Sequence, residues 1–234
     1  MKNLIAGNWK LNPTTKEEAK NVFSAIKTGT KGTGAEVVIC PPFVYLPLLK
    51  GLARGAQNVS HEEKGAFTGE VSAGMLSNLK IKYAIIGHSE RRKYFGETDE
   101  IINKKIKKTL GSGLKVIFCI GETAEERDAG KKNQVLERQI KEGLAGIDDI
   151  RNINVAYEPV WAIGTGNNCS VEETKKSIDF IRQFVKSKTR ILYGGSVKSD
   201  NSGDYIKKAG ANGLLVGGAS LNAEEFIKIV KSAE

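Results

Sequence analysis

Eight short apolar runs recur along the chain, and a helical pattern separates each run from the next. Most of the runs are apolar without alternation, as is typical of strands buried on both faces of a parallel sheet. The predicted strands are Leu4–Gly7, Val37–Cys40, Gly55–Val59, Tyr83–Gly87, Leu114–Ile120, Ile153–Tyr157, Arg190–Tyr193 and Gly213–Val216. Eight such units in 234 residues predict an α/β fold, a closed (β/α)8 barrel of parallel strands with outer helices.

A doubly wound open sheet is the competing interpretation of the same alternation. That fold calls for a G-x-G-x-x-G at the first turn, and Gly7-Asn-Trp-Lys10 does not supply it. No low-complexity tract, Pro/Ser-rich linker or shift of composition marks a domain boundary. We therefore expect residues 1–234 to form a single barrel with catalytic function.

Four of the predicted helices have visible start signals. Each begins with Ser, Thr or Asn, and Glu follows three residues later. In the Ser and Thr cases this is the spacing of a capping box, in which two otherwise unpaired backbone N–H groups gain acceptors. The four pairs are Thr15 with Glu18, Thr123 with Glu126, Ser170 with Glu173, and Asn222 with Glu225.

Composition narrows the setting in which the chain acts. No apolar stretch approaches the ~18 residues that would span a membrane, and the first ten residues lack the apolar core of a signal peptide. The three cysteines are odd in number and widely spaced, which predicts a reducing, cytoplasmic compartment. Two histidines and no C-x-x-C pair argue against a structural zinc site.

The formal net charge of +9 allows two interpretations. A basic chain steers anionic substrates towards it, or it binds nucleic acid. Here the lysines are scattered along predicted helices among Asp and Glu, and no aromatic residues alternate with them as in a base-stacking surface. We therefore expect solvated helix faces and no nucleic-acid partner.

The segment Ala156–Gly166, AYEPVWAIGTG, is the most informative part of the chain. Glu158 stands where the sixth strand should end, and Pro159 stops further ladder pairing. Trp161 and Ile163 follow, and glycines close the segment. A carboxylate below an apolar, glycine-ended loop predicts a base beneath a lid that excludes water. The alternative is a plain strand-to-helix connection with a solvated Glu.

Other strand ends carry candidate groups, because barrel enzymes place their chemistry at the carboxyl ends of the strands. Asn8 and Lys10 follow the first strand, and residues two apart on an extended chain point the same way. His88 follows the fourth strand, and Ser89 is the expected cap of a helix whose N-terminus keeps the imidazole neutral. Cys119, near the end of the fifth strand, is expected to be a packing residue rather than a nucleophile.

The seventh and eighth strands both end in paired glycines. The sequences are Tyr193-Gly-Gly-Ser196 and Val216-Gly-Gly-Ala-Ser220, and a short helix is expected after the second. Small residues leave backbone N–H groups open to close approach. Loops at these two positions form the recurring phosphate site of (β/α)8 barrels, so the sequence predicts a phosphorylated substrate.

The chain resembles the triosephosphate isomerase family along essentially its whole length. The segments that carry the resemblance are GNWKLN at 7–12, AQN at 56–58, GAFTGEVS at 65–72, IGHSERRKYFGE at 86–97, CIGETAEERDAG at 119–130, AYEPVWAIGTG at 156–166, YGGSV at 193–197 and LLVGGASL at 214–221. The stretch between Phe180 and Ile191 is shorter than in most members of that family.

The resemblance implies interconversion of dihydroxyacetone phosphate and D-glyceraldehyde 3-phosphate, a step of glycolysis and gluconeogenesis, with no metal or organic cofactor. It implies that Glu158 is the base and that neutral His88 moves protons between the two substrate oxygens. Lys10 is expected to stabilise the enediolate, and Asn8 to position the substrate. Glu90 and Cys119 are expected to lie in the layer of residues behind these catalytic groups.

The resemblance also implies the binding groups and the assembly. The expected phosphate contacts are the backbone N–H groups of Gly164, Ser196, Gly217 and Gly218, and the expected lid residues include Pro159, Trp161, Ile163 and Gly166. The loop Lys64–Ser72 is expected to insert into a second copy of the chain, with Phe67 at its tip and Thr68 at the contact, which gives a homo-oligomer, most simply a homodimer.

Two other classes of function remain open. A sugar-phosphate epimerase would require metal ligands, and an aldolase would require a Schiff-base lysine at the end of the sixth strand, where this chain has Glu158. A non-catalytic barrel that binds a phosphosugar would be expected to have lost the base, the histidine or the lysine, and all three are present.

Overall fold

The computed structural model describes residues 1–164 and 168–233. In this part of the chain eight parallel strands pair in sequence order, and the eighth pairs with the first to close a barrel. The strands are β1 Leu4–Asn8, β2 Glu36–Cys40, β3 Ala53–Ala56, β4 Tyr83–Ile86, β5 Lys115–Ile120, β6 Ile153–Tyr157, β7 Ile191–Tyr193 and β8 Gly213–Val216. The (β/α)8 prediction is therefore confirmed.

Helices cover the outside of the barrel. They are α1 Lys16–Gly29, α2 Ala73–Asn78, α3 Ser89–Phe95, α4 Asp99–Gly111, α5 Ala124–Asp128, α6 Lys132–Gly143, α7 Val171–Arg182, α8 Ser202–Lys207 and α9 Ala223–Ser232. Short 3₁₀ turns lie at Phe43–Tyr45, Val160–Ala162 and Gly218–Leu221. No helix of the described residues is long and apolar enough to cross a membrane.

Two apolar layers make up the core. Alternate residues of each strand point into the barrel, where Leu4, Ala6, Ile117 and Ala156 belong to a small inner cluster. The other strand residues face outwards and pack against the apolar stripes of the helices in a much larger cluster. The inward register continues to the ends of β1 and β6, so Asn8 and Glu158 face the mouth of the barrel.

The opposite end of the barrel, at the amino ends of the strands, is closed by a polar group. Arg190 Nη1 donates to Glu36 Oε2 at 2.9 Å, and the Tyr83 hydroxyl donates to Glu36 Oε1 at 2.6 Å. Burial raises the pKa of Tyr83, and the hydrogen bond to Glu36 adds to the rise. Burial also raises the pKa of the Glu36 carboxyl, but the hydrogen bonds from Tyr83 and Arg190 outweigh this effect, and the pKa is lowered overall.

Strand β3 differs from the predicted Gly55–Val59, since it begins and ends earlier. Its ladder partners explain the shift: Ala53 pairs with β2, and Ala56 is paired with β4. Beyond Ala56 the backbone ladder stops, and the Gln57 side chain, in place of a backbone N–H group, donates to the carbonyl of Cys40 at 2.8 Å. The other seven strands agree with prediction to within one residue at each end.

The predicted helix starts are found, although the capping box is complete at only one of them. Thr123 and Glu126 exchange both hydrogen bonds. Thr15, Ser170 and Asn222 each accept a hydrogen bond from the backbone of the Glu three residues on. At the last start, the Glu225 carboxylate instead accepts from Ser199 of the preceding βα unit.

The pairing of β1 with β8 closes the barrel, and one added methyl group at this seam should strongly destabilise the fold. Gly213 pairs with Leu4, has φ of 147°, and an added Cβ would lie 2.0 Å from the Leu4 carbonyl oxygen. We expect Gly213→Ala to lower the free energy of unfolding by about 3 kcal/mol, because a clash and a disfavoured backbone act together. Denaturant unfolding measures this.

The control is Gly111→Ala at the end of α4, where an added Cβ meets nothing within 4 Å. That variant should be unchanged or more stable, by up to about 1 kcal/mol. Equal effects of the two substitutions would contradict the account of the seam.

Candidate active site

A cavity of about 740 Å³ opens at the carboxyl ends of the strands. Its volume is within the range of small-molecule sites. The predicted residues that line it are Asn8, Lys10, His88, Glu158, Ile163, Gly164, Ser196, Gly217 and Gly218. Groups from β1, β4, β6, β7, β8 and the lid segment therefore meet in one space, although they are up to 210 residues apart in the chain.

Glu158 follows β6 directly and is 3% exposed. Its backbone N–H donates to the Ile120 carbonyl at 2.7 Å, which ties it to β5. One carboxylate oxygen lies 3.3 Å from His88 Nε2, and the other accepts from the Ser89 N–H at 3.4 Å. An added Cβ at Gly121 would lie 1.7 Å from the Glu158 carbonyl oxygen, so only glycine fits beside this residue.

His88 is held by the helix that it begins. Its Nδ1 accepts a hydrogen bond from the Glu90 N–H at 3.2 Å, so this imidazole is the side-chain cap of α3. An accepting Nδ1 carries no proton, which leaves the neutral ring with its hydrogen on Nε2, towards Glu158. The expectation that Ser89 caps the helix is wrong, because Ser89 is already its first residue.

Lys10 reaches the site by a route that differs from the predicted one. The chain is not extended there: Lys10 has φ of 52°, in the left-handed region that non-glycine residues seldom adopt. Asn8 Oδ1 accepts from the Lys10 N–H at 3.0 Å and so supports the turn. The convergence of the two side chains on one cavity is as predicted, but a tight turn rather than strand alternation produces it.

The ammonium group of Lys10 forms an ion pair with Glu90, whose other carboxylate oxygen lies 3.7 Å from His88 Nδ1. Glu90 therefore contacts two of the predicted catalytic groups from behind. Gln57 was not singled out from the sequence, and it donates to the Lys10 carbonyl at 2.8 Å. The sequence held no signal for this role, because the predicted third strand, Gly55–Val59, placed Gln57 within the strand.

The glycine pairs after β7 and β8 form the other wall of the cavity. Gly217 precedes the 3₁₀ turn Gly218–Leu221, which is the short helix expected there. An added Cβ at Gly218 would meet nothing within 4 Å, so the backbone at this position is open to close approach. Lys10 Cε lies 3.5 Å from the ideal Cβ position of Gly217, so this wall adjoins the lysine.

The predicted lid begins at Pro159 and is anchored to β5 through Glu122. The Val160 N–H donates to the Glu122 carbonyl at 3.0 Å, and Trp161 Nε1 donates to its carboxylate at 2.9 Å. Arg127 stacks 4.2 Å above the Trp161 ring. Burial raises the pKa of Glu122, although the hydrogen bond from Trp161 opposes the rise.

At the cavity side of the lid, Ser196 Oγ donates to the Ala162 carbonyl at 2.7 Å. Gly164 is exposed and has φ of 71°, in the left-handed region that favours glycine. Gly166, also assigned to the lid, lies outside the described residues. Glu122 was missed by the sequence reasoning, and its position one residue past Gly121 at the fifth strand end could have identified it.

Cys119 lies inside the barrel beneath Glu158 and is fully buried. Burial raises the pKa of its thiol well above the ordinary value, and the charge of Glu158 and a hydrogen bond with it add to the rise. A neutral thiol at this position packs against the carboxylate and does not compete with it as a nucleophile. In the described residues no group of three or more His, Cys, Asp or Glu side chains could hold a metal ion.

The loop predicted at the subunit contact lies away from the cavity wall. Thr68 is exposed, and Phe67 is 47% exposed. Other large apolar side chains, before and after this loop in the sequence, are also exposed. They include Leu11, Val44, Met75, Tyr94 and Phe95.

Comparisons with known proteins point to one family. The family model described as triosephosphate isomerase matches residues 3–233. A triosephosphate isomerase of Carboxydothermus hydrogenoformans is 47% identical and is matched over 99% of each chain. Those of Alkaliphilus oremlandii and Aquifex aeolicus are 45% and 46% identical, over 98% and 99% of this chain and 98% and 100% of their own.

The buried thiols give a prediction about reactivity. Burial raises the pKa of all three, that of Cys40 to about 12. Because the thiolate is the reactive form, we expect none of the three to react with a disulfide reagent at pH 8 in the folded protein. All three should react in guanidinium. A thiol that reacts at its unfolded rate in the folded protein would contradict this placement.

Proposed function

The chain belongs to the triosephosphate isomerase family and interconverts dihydroxyacetone phosphate and D-glyceraldehyde 3-phosphate, and we propose that Glu158, His88, Lys10 and Asn8 carry out this reaction. The observation that supports the assignment most strongly is the pairing of a buried carboxylate with a neutral imidazole at 3.3 Å inside the cavity that also holds the lysine. A base, a proton donor and a cation are what an aldose–ketose proton shift needs.

In the proposed reaction Glu158 removes a proton from the substrate carbon next to the carbonyl. The C–H electrons form the carbon–carbon double bond of an enediolate, and the carbonyl electrons move to its oxygen. Nε2 of His88, which holds the hydrogen of the neutral ring, protonates that oxygen and recovers a proton from the neighbouring one. Glu158 then returns its proton to the adjacent carbon, so no proton is gained or lost.

Lys10 stabilises the negative charge that develops on these oxygens. Its ammonium group pairs with Glu90, and its side chain lines the cavity beside the Gly217 backbone, where we propose that the cation faces both the reacting oxygens and the phosphate. A charge that is fixed before the reaction costs little reorganisation in the transition state. The Asn8 amide holds the Lys10 turn and lines the same wall.

The phosphate is proposed to bind on the glycine wall. Gly217, Gly218 and Ser196 offer backbone N–H groups there, and Gly164 would add another from the lid. An enediolate phosphate that is open to water expels its phosphate, so a lid over this wall protects the intermediate. The Ser196 bond to Ala162 supports this, because it links the lid to the proposed phosphate loop.

The alternatives are less well supported. A Schiff-base aldolase would require a lysine where Glu158 stands, and a metal-dependent epimerase would require a cluster of ligands that the described residues do not contain. The base, the histidine and the lysine of the isomerase are all present in one cavity, which argues against a binding protein without activity.

The assembly and setting belong to the same proposal. We propose one catalytic domain over residues 1–234, acting as a homodimer in the cytoplasm. The interface is proposed from the family resemblance, and the exposed side chains of Phe67, Leu11 and Tyr94 supply large apolar groups for it. Three free, buried cysteines fit a reducing compartment.

The base is tested by Glu158→Gln, which preserves size and hydrogen bonding but cannot accept the proton. We expect turnover to fall by about 10²–10⁴-fold. The matched control is Glu63→Gln on the surface, which should leave turnover unchanged. A coupled assay measures both, and the assignment is refuted if the Glu158 variant retains a third or more of parental turnover.

The interface is tested by Thr68→Arg. A charge without a partner buried at a subunit contact should dissociate the dimer and reduce activity together. The control, Thr28→Arg, places the same charge at an exposed position of α1, on the helix that packs against α9. Light scattering at the assay concentration checks both, and a fully active parental monomer would overturn the proposal.

A further inference from the structure

The Arg92 guanidinium joins the ends of the two strands that carry His88 and support Glu158. Its Nε donates to the Gly87 carbonyl at 2.9 Å, and its Nη2 donates to the Cys119 carbonyl at 3.4 Å. The third nitrogen, Nη1, donates to Asp99 at 2.5 Å. Its side chain is 19% exposed, and it does not line the active-site cavity.

The guanidinium lies where the β-ladder stops. The last registered pair between β4 and β5 is Ile86 with Phe118. At the next residue, Gly87, φ is 76° and the chain leaves the strand in order to begin α3. The following pair of carbonyls, those of Gly87 and Cys119, therefore lies beyond the ladder, and one planar side chain donates to both. The rigid fork of arginine suits this double contact.

Holding these carbonyls also orients the residues that follow them. The peptide bond is planar, so a fixed Gly87 carbonyl fixes the plane that contains the His88 nitrogen. In the same way the Cys119 carbonyl shares a plane with the nitrogen of Ile120, whose own carbonyl accepts the Glu158 N–H. The backbone at both members of the proposed catalytic pair is thus fixed from behind by one guanidinium.

Asp99 holds the guanidinium in turn. It is the first residue of α4, its side chain is 2% exposed, and its second oxygen pairs with Arg138 of α6. The buried Asp99 carboxylate favours the rotamer of Arg92 in which Nη1 pairs with it, because any other rotamer would cost this carboxylate one of its two arginine partners. The space at Gly87 is also closed: an added Cβ would lie 3.3 Å from Arg92 Nη2 and 3.2 Å from the Cys119 carbonyl oxygen.

We propose that Arg92 is a positioning residue for the isomerase reaction: by holding the Gly87 and Cys119 carbonyls it sets the alignment of His88 with Glu158. This inference rests on the proposed function of that pair. It assigns to Arg92 no contact with the substrate. Loss of the guanidinium should therefore affect the chemical step much more than it affects substrate binding.

The test compares Arg92→Met, Arg92→Lys and Arg138→Met with the parent. A misplacement of about 1 Å at a reacting group costs up to about 10²-fold, so kcat of Arg92→Met should fall by roughly 10- to 100-fold, with KM changed by less than about 3-fold. Arg92→Lys keeps the charge beside Asp99 but cannot span both carbonyls, and its kcat should be intermediate. Arg138→Met removes only the other partner of Asp99 and should keep kcat within about 3-fold.

A second measurement does not depend on turnover. The chain has two histidines, so ¹⁵N NMR of the imidazoles resolves His88, with His61 as an internal reference. The His88 signals should shift in Arg92→Met, and the His61 signals should not. If Arg92→Met does not fold, the same two readouts on Arg92→Lys decide the matter.

Three results would overturn the proposal. One is a folded Arg92 variant with parental kcat and unshifted His88 signals. The second is a loss of kcat in Arg138→Met equal to that in Arg92→Met, which would indicate a general packing role. The third is a rise in KM that accounts for the whole loss. If the function assignment fails, the parent itself lacks isomerase activity. The His88 signals would still show whether Arg92 positions the imidazole, so this failure can be told apart from failure of the Arg92 proposal.

Discussion

Closure of the parallel sheet is the constraint on which the rest of the structure depends. β1 pairs with β2 on one side and with β8 on the other, so none of the eight described strands has a free edge. Because all the strands run the same way, every carboxyl end faces one rim. Groups from the first and the last strand are thereby brought into a single cavity, which no local segment of the chain could form.

In the closed barrel, polar groups lie at both ends, the floor and the mouth. At the floor Glu36 accepts hydrogen bonds from Tyr83 and Arg190, and the proposed catalytic groups occupy the mouth. Between them lie apolar side chains and the buried thiols of Cys40 and Cys119. Burial keeps those thiols protonated, so the Glu158 carboxylate is the ionisable group that this interior presents to the cavity.

The site itself is held largely by contacts that lie outside the cavity or at its edge. Glu90 pairs with Lys10 and lies beside the imidazole of His88, while its own N–H is capped by that imidazole. Gly121 has room for no side chain because the Glu158 backbone crosses it. Small residues and charged pairs at the strand ends therefore fix the distances between groups that different strands supply. Such preorganisation is what makes electrostatic stabilisation effective.

Sequence alone determined seven of the eight strands, their parallel arrangement and the strand-end groups proposed for the cavity, because these follow from local patterns. Apolar runs without alternation mark strands buried on both faces, and the side chains just beyond them must lie at the rim. The carboxylate Glu158, followed by Pro159, was identifiable on this ground. The one displaced strand, β3, was misplaced because its ends are set by pairing with β2 and β4 and by the Gln57 side chain.

Tertiary structure decided what depends on distance between remote segments. The left-handed turn at Lys10, the capping of α3 by His88 rather than Ser89, and the anchoring of Trp161 by Glu122 have no sequence period of their own. Gln57 holds the Lys10 carbonyl and Glu122 holds Trp161, because polar groups at strand ends find partners on a neighbouring βα unit. The bonds made by the Asn8 and His88 side chains join residues only two apart in the chain. A sequence specifies which groups need partners, and the closed barrel decides which ones lie within reach.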